Sequence, residues 1–114
     1  MSAVSRRPKG VISSGKEFNS FEEFFPFYMQ EHSNRTNRRL HFIGTSLALL
    51  SLAILTFLGL YKFLFAPFVL GYGFAWVGHF FIEKNKPATF KHPFYSLMGD
   101  FQMWYNIITG KQKF

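Results

Sequence analysis

Two long uncharged stretches, separated by a single lysine, constrain this sequence more than any other feature. The first is FIGTSLALLSLAILTFLGLY, residues 42–61, and the second is FLFAPFVLGYGFAWVGHFFI, residues 63–82. A helix of twenty residues is about 30 Å long, which matches the hydrocarbon thickness of a bilayer. The turn between them is expected around Gly59–Lys62, and a turn this short requires the two helices to run antiparallel. The sequence therefore predicts an all-α protein, an integral membrane helical hairpin with spans at about 42–61 and 63–82. A buried helix pair in a soluble domain is the alternative.

Positive charge is concentrated at one end of the predicted hairpin. The connecting turn carries only Lys62. Basic residues before the first span and after the second are Arg35, Arg38, Arg39, Lys84, Lys86 and Lys91. Such residues favour the cytoplasmic side, so both termini are expected to be cytoplasmic. The host membrane would be the inner membrane in a bacterium or the endoplasmic reticulum in a eukaryote.

The net charge of +7 has two common interpretations, nucleic acid or an anionic membrane surface. With 17 Phe and 48% hydrophobic residues, the chain favours the membrane, and we expect no nucleic-acid partner. Residues 1–16 are basic and rich in Gly and Ser, with no periodic apolar pattern. We expect them to form a disordered basic leader, and residues 17–114 to form a single helical membrane domain.

Two amphipathic helices are expected to flank the hairpin, at the membrane surface or over its cytoplasmic end. Ser20 and Glu23 fit a capping box at the start of the first. Pro26 either kinks that helix or forces it to begin near Phe25. Pro93 can open the second, which should run to about Thr109 because its apolar residues recur at spacings of three and four.

All four histidines are expected to converge at the cytoplasmic end of the hairpin. The start of one span lies beside the end of the other, so His41 and His79 should meet. The chain breaks SNRTN and EKNKPATFK would bring His32 and His92 to the same place. The chain has no Cys, so any metal must be bound by His and carboxylates.

Small residues place these histidines on the helix contact face. His41 heads a stripe with Gly44, Ala48 and Ser51, and His79 ends a stripe with Gly71 and Ala75. A buried imidazole is costly unless it is satisfied, and a shared metal ion would satisfy several at once. Imidazole ligands suit zinc, copper and iron alike.

Two carboxylates lie close to these histidines in the predicted arrangement. Glu83 follows His79 by one helical turn, and we expect it to orient an imidazole or to pair with a lysine, with direct ligation as the alternative. Asp100 has a similar expected role outside the ligand set.

Two segments resemble the yeast-type 2-hydroxy fatty acid α-dioxygenase family. They are EHSNRTNRRLHFIGT, residues 31–45, and GHFFIEKNKPATFKHPFYSLMGDFQMW, residues 78–104. The resemblance implies an iron(II)-dependent membrane enzyme that uses molecular oxygen to shorten 2-hydroxy fatty acids by one carbon. It also implies that the metal ligands are His32, His41, His79 and His92, with Asn37 of the first motif behind them. Because four histidines and a bidentate acid would fill six positions, we expect one ligand to move or one histidine to lie outside the ligand set. The family includes longer chains, and this chain resembles the compact branch.

The substrate would carry a carboxylate and a long acyl tail. We expect the carboxylate to be attracted by Arg38, Arg39 or Lys91, although each can also serve as a positive-inside anchor. The tail is expected along Phe-rich surface, with Trp76, Phe80 and Phe81 as candidate lining residues.

Three other function classes remain open from the sequence. His41 and His79 could bind haem in an electron-transfer protein. The chain could be a non-catalytic membrane scaffold or lipid-binding protein with structural histidines. It could also be a zinc hydrolase, with Glu83 as the base. The sequence predicts no particular oligomeric state.

Overall fold

The described part of the chain consists of helices joined by short loops. The structure is a computed structural model that describes residue 12 and residues 17–86 and 91–114. These residues contain four α-helices and no strand: α1 (Phe21–Gln30), α2 (Arg35–Phe57), α3 (Ala66–Val77) and α4 (Pro93–Ile108). A 3₁₀ turn, Tyr61–Phe63, precedes α3, and a π-helical segment, Gly78–Glu83, follows it. The all-α prediction is confirmed.

Helices α2 and α3 form the antiparallel pair and approach each other closely through small residues. A Cβ placed on Gly44 would lie 2.8 Å from the Cβ of Phe74 and 3.2 Å from the carbonyl oxygen of Gly71. A Cβ on Gly71 would lie 3.6 Å from the Cβ of Ala48. The predicted stripes of small residues are therefore the contact faces, as is common where membrane helices pack.

The outer faces of this pair are apolar and exposed. Arg35–Phe57 and Tyr61–Glu83 are long and apolar enough to cross a membrane, and only 11% and 22% of the residues in their most apolar stretches are buried. Phe57 is 89% exposed and Phe68 is 60% exposed. A core helix of a soluble protein buries most of its apolar residues, so these faces suggest association with a membrane.

The turn between the spans begins directly after Phe57. Helix α2 ends at Phe57, and Gly59 adopts a positive φ of 71° in the turn. The last residues of the predicted first span, 58–61, therefore belong to the connection. Helix α2 also begins earlier than the predicted span, because the Asn34 side chain accepts hydrogen bonds from the amides of Thr36 and Asn37.

Helix α1 has the predicted start. The Ser20 hydroxyl accepts a hydrogen bond from the Glu23 amide, which confirms the cap at this position. The helix runs through Pro26, so a start near Phe25 is wrong. Its buried residues pack with Met103 of α4 in a small aromatic core formed by Phe24, Phe27, Tyr28 and Met103.

Helix α4 has the predicted bounds within one residue, and its apolar stripe faces outward. The residues that it buries are Ser96, Gly99 and Met103. Phe94 is 81% exposed, and Ile108 is 55% exposed. The Trp104 indole donates to the Ser46 hydroxyl at 3.0 Å and ties α4 to α2.

The predicted leader and part of one loop lie outside the described residues. Of residues 1–16, the structure describes only Ile12, whose backbone exchanges two 2.8 Å hydrogen bonds with the Gln30 side chain. The PATF stretch, residues 87–90, also lies outside the described part. The leader and the single domain at 17–114 stay predictions.

Candidate metal centre

Three histidines from three different segments meet at one end of the hairpin. His32 follows α1, His41 lies in the second turn of α2, and His79 lies in the π-helical segment. The Nε2 atom of His32 is 2.9 Å from that of His41 and 3.1 Å from that of His79. The three side chains are 1%, 4% and 2% exposed. Their ligand atoms lie within 4.8 Å of one another, close enough to share one metal ion.

The other nitrogen of each ring is engaged by an oxygen. His32 Nδ1 lies 2.6 Å from the Tyr28 carbonyl, and His41 Nδ1 lies 3.2 Å from the Asn37 carbonyl. His79 Nδ1 lies 2.7 Å from the side-chain oxygen of Asn85. Carbonyl oxygens accept and cannot donate, so each neutral ring carries its proton on Nδ1.

The consequence is that three Nε2 lone pairs point into one buried space. Burial lowers the pKa of His32 well below its usual range, and the neighbouring His41 and His79 lower it further, so this ring is neutral at pH 7. Three lone pairs without a hydrogen between them repel one another, and a cation relieves the repulsion. A metal about 2.1 Å from each nitrogen can bind two nitrogens up to about 4.2 Å apart. The distances from His32 Nε2 to the other two Nε2 atoms, 2.9 Å and 3.1 Å, are within this limit. The donor set therefore fits a divalent transition metal.

The π-helical segment positions His79 and brings Asn85 back onto it. Lys84 ends the segment in the left-handed conformation, with φ at 59°, and the Asn85 amide then donates to the His79 carbonyl at 2.9 Å. Asn85 Nδ2 donates to the Glu31 carbonyl at 3.2 Å. Because Asn85 Nδ2 faces the Glu31 carbonyl, the side-chain oxygen of Asn85 must be the atom that faces His79. Asn85 thereby connects His79 to the segment before α2.

Gly78 lets this segment approach α2. A Cβ on Gly78 would lie only 1.8 Å from the side-chain oxygen of Asn37. The Asn37 residue is completely buried. Asn37 contributes its backbone carbonyl to His41, and its side-chain amide packs against Gly78. Asn37 thus contacts the His41 ring through its main chain, and its expected role at a metal site stays a prediction.

Tyr28 and Asp100 form a second layer behind His32. The Tyr28 ring stacks on the His32 ring with centroids 4.0 Å apart, and its hydroxyl donates to Asp100. The Tyr28 ring also leaves no room for a side chain at Gly99, where a Cβ would lie 2.7 Å from a ring carbon. Burial raises the pKa of Asp100 to about 7, although the hydrogen bond from Tyr28 lowers it.

Comparison with known proteins identifies a family for this chain. The family model described as 2-hydroxy-palmitic acid dioxygenase Mpo1-like matches residues 18–112. The chain belongs to the Mpo1-like family. The match spans all three histidines and confirms the resemblance seen in the sequence. No curated protein and no solved structure matches the chain significantly.

The fourth histidine of this Mpo1-like chain lies apart from the other three. The His92 ring contacts Phe18 and Phe24, with centroids 5.1 Å and 5.4 Å away. Its Nε2 is buried, with no hydrogen-bond partner among the described residues. His92 is not part of the three-histidine cluster. His92 directly precedes α4, and its ring packs into the aromatic contacts of Phe18 and Phe24 instead of reaching the cluster.

The hydrogen bonds of Glu83 lie at the start of α2, and its expected roles at an imidazole or a lysine stay predictions. Its carboxylate accepts hydrogen bonds from the Asn34 amide and, at 3.5 Å, from the Ser33 hydroxyl. It therefore stabilises the amino-terminal end of α2, where a negative charge is favourable. The direct acceptor for His79 is Asn85, two residues further along the Mpo1-like chain.

Two of the three basic residues expected to attract a substrate carboxylate donate hydrogen bonds to main-chain carbonyls. Arg38 Nη1 donates to the carbonyls of His32 and Ser33 at 3.1 Å and 2.9 Å, so it supports the segment that carries His32. Arg39 donates to the Phe114 carbonyl and lies over the Phe114 ring. Lys91 is exposed. A contact of any of them with a substrate stays a prediction.

Sequence reasoning missed two residues that position the histidines. Asn85 lies in a basic loop with no periodic pattern, and its distance of six residues from His79 is not a helical repeat. Tyr28 lies on a helical face with Phe21, Phe24 and Phe25, and aromatic residues at this spacing indicate only helix packing. The one available signal was its spacing, because Tyr28 lies four residues before His32.

Proposed function

We propose that this Mpo1-like chain is an iron(II)-dependent membrane dioxygenase that shortens 2-hydroxy fatty acids by one carbon. The observation that carries the proposal is the convergence of three Nε2 lone pairs in a buried space, with each Nδ1 engaged by an oxygen. The family description, which names a 2-hydroxy-palmitic acid dioxygenase, supports the substrate class and the reaction type. His32, His41 and His79 would bind the metal.

A ligand set of three histidines suits this reaction better than four. A 2-hydroxy carboxylate can bind through its hydroxyl and one carboxylate oxygen, and oxygen needs one further position. On a six-coordinate ion, three protein ligands would leave the three positions that the acid and oxygen need, whereas four would leave only two. Iron(II), when bound, supplies the redox chemistry that activates molecular oxygen.

The reaction balances with molecular oxygen alone. The bond between C1 and C2 breaks, C2 becomes the carboxyl carbon of the shortened acid, C1 leaves as carbon dioxide, and the remaining oxygen atom leaves as water. The substrate supplies all four electrons that reduce one oxygen molecule. No separate reductant is required, which is consistent with a small site that holds a metal and one organic substrate.

The protein groups around the site would bind the substrate and keep the ligands oriented. Tyr28, Asn37 and Asn85 hold the imidazole protons on Nδ1, so that every Nε2 stays available to the metal. Asp100, near His41 in the same groove, is protonated below about pH 7. In that form its carboxyl would not repel an anionic substrate and can donate a hydrogen bond to it.

We place the metal at the cytoplasmic rim of a membrane-spanning hairpin. The arginines in the first two turns of α2 and the lysines after the π-helical segment lie at this end, whereas Lys62 is the basic residue of the opposite turn. The positive-inside rule then gives cytoplasmic termini. The membrane would be the bacterial inner membrane or the endoplasmic reticulum.

Haem binding is disfavoured by the close approach of α2 and α3. A haem between His41 and His79 would separate helices that already touch at Gly44 and Gly71. The two imidazole centroids are only 4.9 Å apart, with the rings nearly perpendicular. A Soret band in the purified protein would revive this alternative.

Turnover of 2-hydroxypalmitic acid tests the proposal. The protein would be purified without oxygen, reconstituted in lipid nanodiscs and loaded with iron(II). We expect one oxygen consumed for each fifteen-carbon acid formed, and no turnover by His79→Ala. Turnover that persists in His79→Ala, or an iron-loaded wild type that consumes no oxygen with any 2-hydroxy acid, would contradict the proposal.

A further inference from the structure

A groove runs from the histidine cluster along the contact between α2 and α3. At one end it is lined by His41 and Asp100, and at the other by Leu52, Pro67 and Phe68. On α2 the lining residues follow His41 at four, seven, eight and eleven positions, which is a single helical stripe. Helix α4 covers only the end near the cluster, through Leu97, Asp100 and Phe101.

We propose that this groove binds the acyl tail of the substrate and measures its length. This inference rests on the proposed function, because the tail is assigned to the acid whose head group meets the metal. The occupant would be a linear saturated chain that starts beside His41 and ends near Leu52.

The chemistry of the lining changes along the groove in the order that such an acid requires. The imidazole and the carboxyl lie at the cluster end, Thr45 is one turn away from His41, and Tyr72 is within electrostatic range of Asp100. Further along, Ala48 and Gly71 form a smooth floor, followed by apolar side chains. The hydroxyl and the carboxylate of the head group would therefore lie beside polar side chains. The hydrocarbon tail would lie beside apolar side chains, so it would not bury polar groups without hydrogen-bond partners.

The groove is open on one side toward the region that a bilayer would occupy. Leu52 is 43% exposed and Phe68 is 60% exposed, although both line the groove. A fatty acid dissolved in the membrane can therefore enter sideways, with its tail already in hydrocarbon. The aromatics expected from the sequence, Trp76, Phe80 and Phe81, do not line this groove.

The length of the groove sets an expected chain length. His41 and Leu52 are eleven residues apart, and at about 1.5 Å per residue the stripe is about 16 Å long. An extended chain advances about 1.2 Å per bond, so about thirteen carbon–carbon bonds fit along it. With the two carbons at the metal added, the groove matches acids of about 14 to 16 carbons.

Tryptophan substitutions at successive positions of the α2 stripe test whether the groove limits the length of the acyl tail. Leu49→Trp would block the groove about 12 Å from His41, and Leu52→Trp would block it about 16 Å away. For the sixteen-carbon acid, we expect kcat/KM to fall at least about 10-fold in Leu49→Trp and by less in Leu52→Trp. For a ten-carbon acid, which ends before either position, we expect turnover by both variants within about twofold of wild type. Leu50→Trp is the matched control, because Leu50 is 58% exposed and lies off the stripe. An unchanged length profile in Leu49→Trp, with iron content retained, would overturn the inference.

Photocrosslinking separates this inference from the proposed function. The probe is 2-hydroxypalmitic acid with a diazirine on its last carbon, in nanodiscs. We expect labels near Leu52 and Phe68 that excess unlabelled acid removes, even in protein that shows no turnover. Labels on Trp76, Phe80 or Phe81, or labels that the competitor does not remove, would overturn the groove while leaving the dioxygenase activity intact. Competed labels in the groove without any turnover would refute the activity and leave the groove standing.

Discussion

The two ends of the α2–α3 hairpin are stabilised by different interactions. At the rim, His32, His41 and His79 are buried, and all three Nδ1 atoms are engaged by oxygens of the chain. At the turn, Phe57 and Tyr61 are 89% and 63% exposed. The structure at the rim, the end that carries the three histidines, therefore depends on particular residues and their hydrogen bonds. The turn at the other end needs only apolar side chains that a bilayer can cover. We expect substitutions at the rim to have large effects and substitutions at the turn to have small ones.

Removing a histidine of the cluster should have the largest effect. Because the loss of a partner behind a ligand already weakens metal binding about 10- to 100-fold, His41→Ala should weaken it by more than about 100-fold. His92→Phe, which changes a histidine outside the cluster, should keep the metal. Competition with a chromophoric chelator measures both, and equal losses in the two variants would contradict the three-histidine assignment.

Filling the close contact at Gly78 should have the next largest effect. Gly78→Ala places a methyl group 1.8 Å from Asn37 Oδ1, so either the π-helical segment or α2 must shift. Overpacking of this kind costs about 1–3 kcal/mol, and we expect a lower midpoint of thermal unfolding together with weaker metal binding. Adding Asn37→Ala should restore part of both. A single variant as stable as wild type would show that the contact is not tight.

Removing the acceptor behind His79 should have a moderate effect. Asn85→Leu frees the Nδ1 proton from its oxygen partner, so we expect metal binding about 10- to 100-fold weaker. Asn85→Asp keeps an acceptor oxygen and should bind the metal at least as well as wild type. Isothermal titration in detergent distinguishes the two, and equal losses would mean that Asn85 does not act through His79.

The pH dependence of substrate binding should depend on Asp100. Burial raises its pKa to about 7, so the carboxyl is neutral below that pH and charged above it. The charged form repels an anionic acid, and KM for 2-hydroxypalmitic acid should therefore rise as the pH increases through about 7. The other ionisable groups nearby are Tyr28, His41 and Tyr72. Asp100→Asn should remove the rise, and an unchanged profile in this variant would assign the titration to another group.

Substitutions at the turn should have the smallest effect. Phe57→Ala removes an exposed ring far from the cluster, and we expect metal affinity and turnover within about twofold of wild type. The same assays used at the rim measure this variant. A loss comparable to that of Asn85→Leu would mean that the two ends are coupled.

The features that follow from periodicity could be predicted from the sequence. The features that depend on irregular backbone could not. The apolar runs and the small-residue stripes gave the hairpin and the meeting of His41 with His79, because an antiparallel pair leaves little freedom. The π-helical segment and the return of Asn85 could not be predicted, since a widened turn has no repeating pattern. His92 was misplaced because its neighbours in space, Phe18 and Phe24, are distant in sequence.

The central claim is that three imidazoles bind one metal at the rim, and X-ray absorption at the iron edge tests it most directly. For iron-loaded protein prepared without oxygen, we expect one ion per chain and scattering from three imidazole rings, with oxygen ligands in the other positions. The His92→Phe spectrum should be identical. A spectrum without imidazole scattering, or a chain that takes up no stoichiometric iron, would contradict the account.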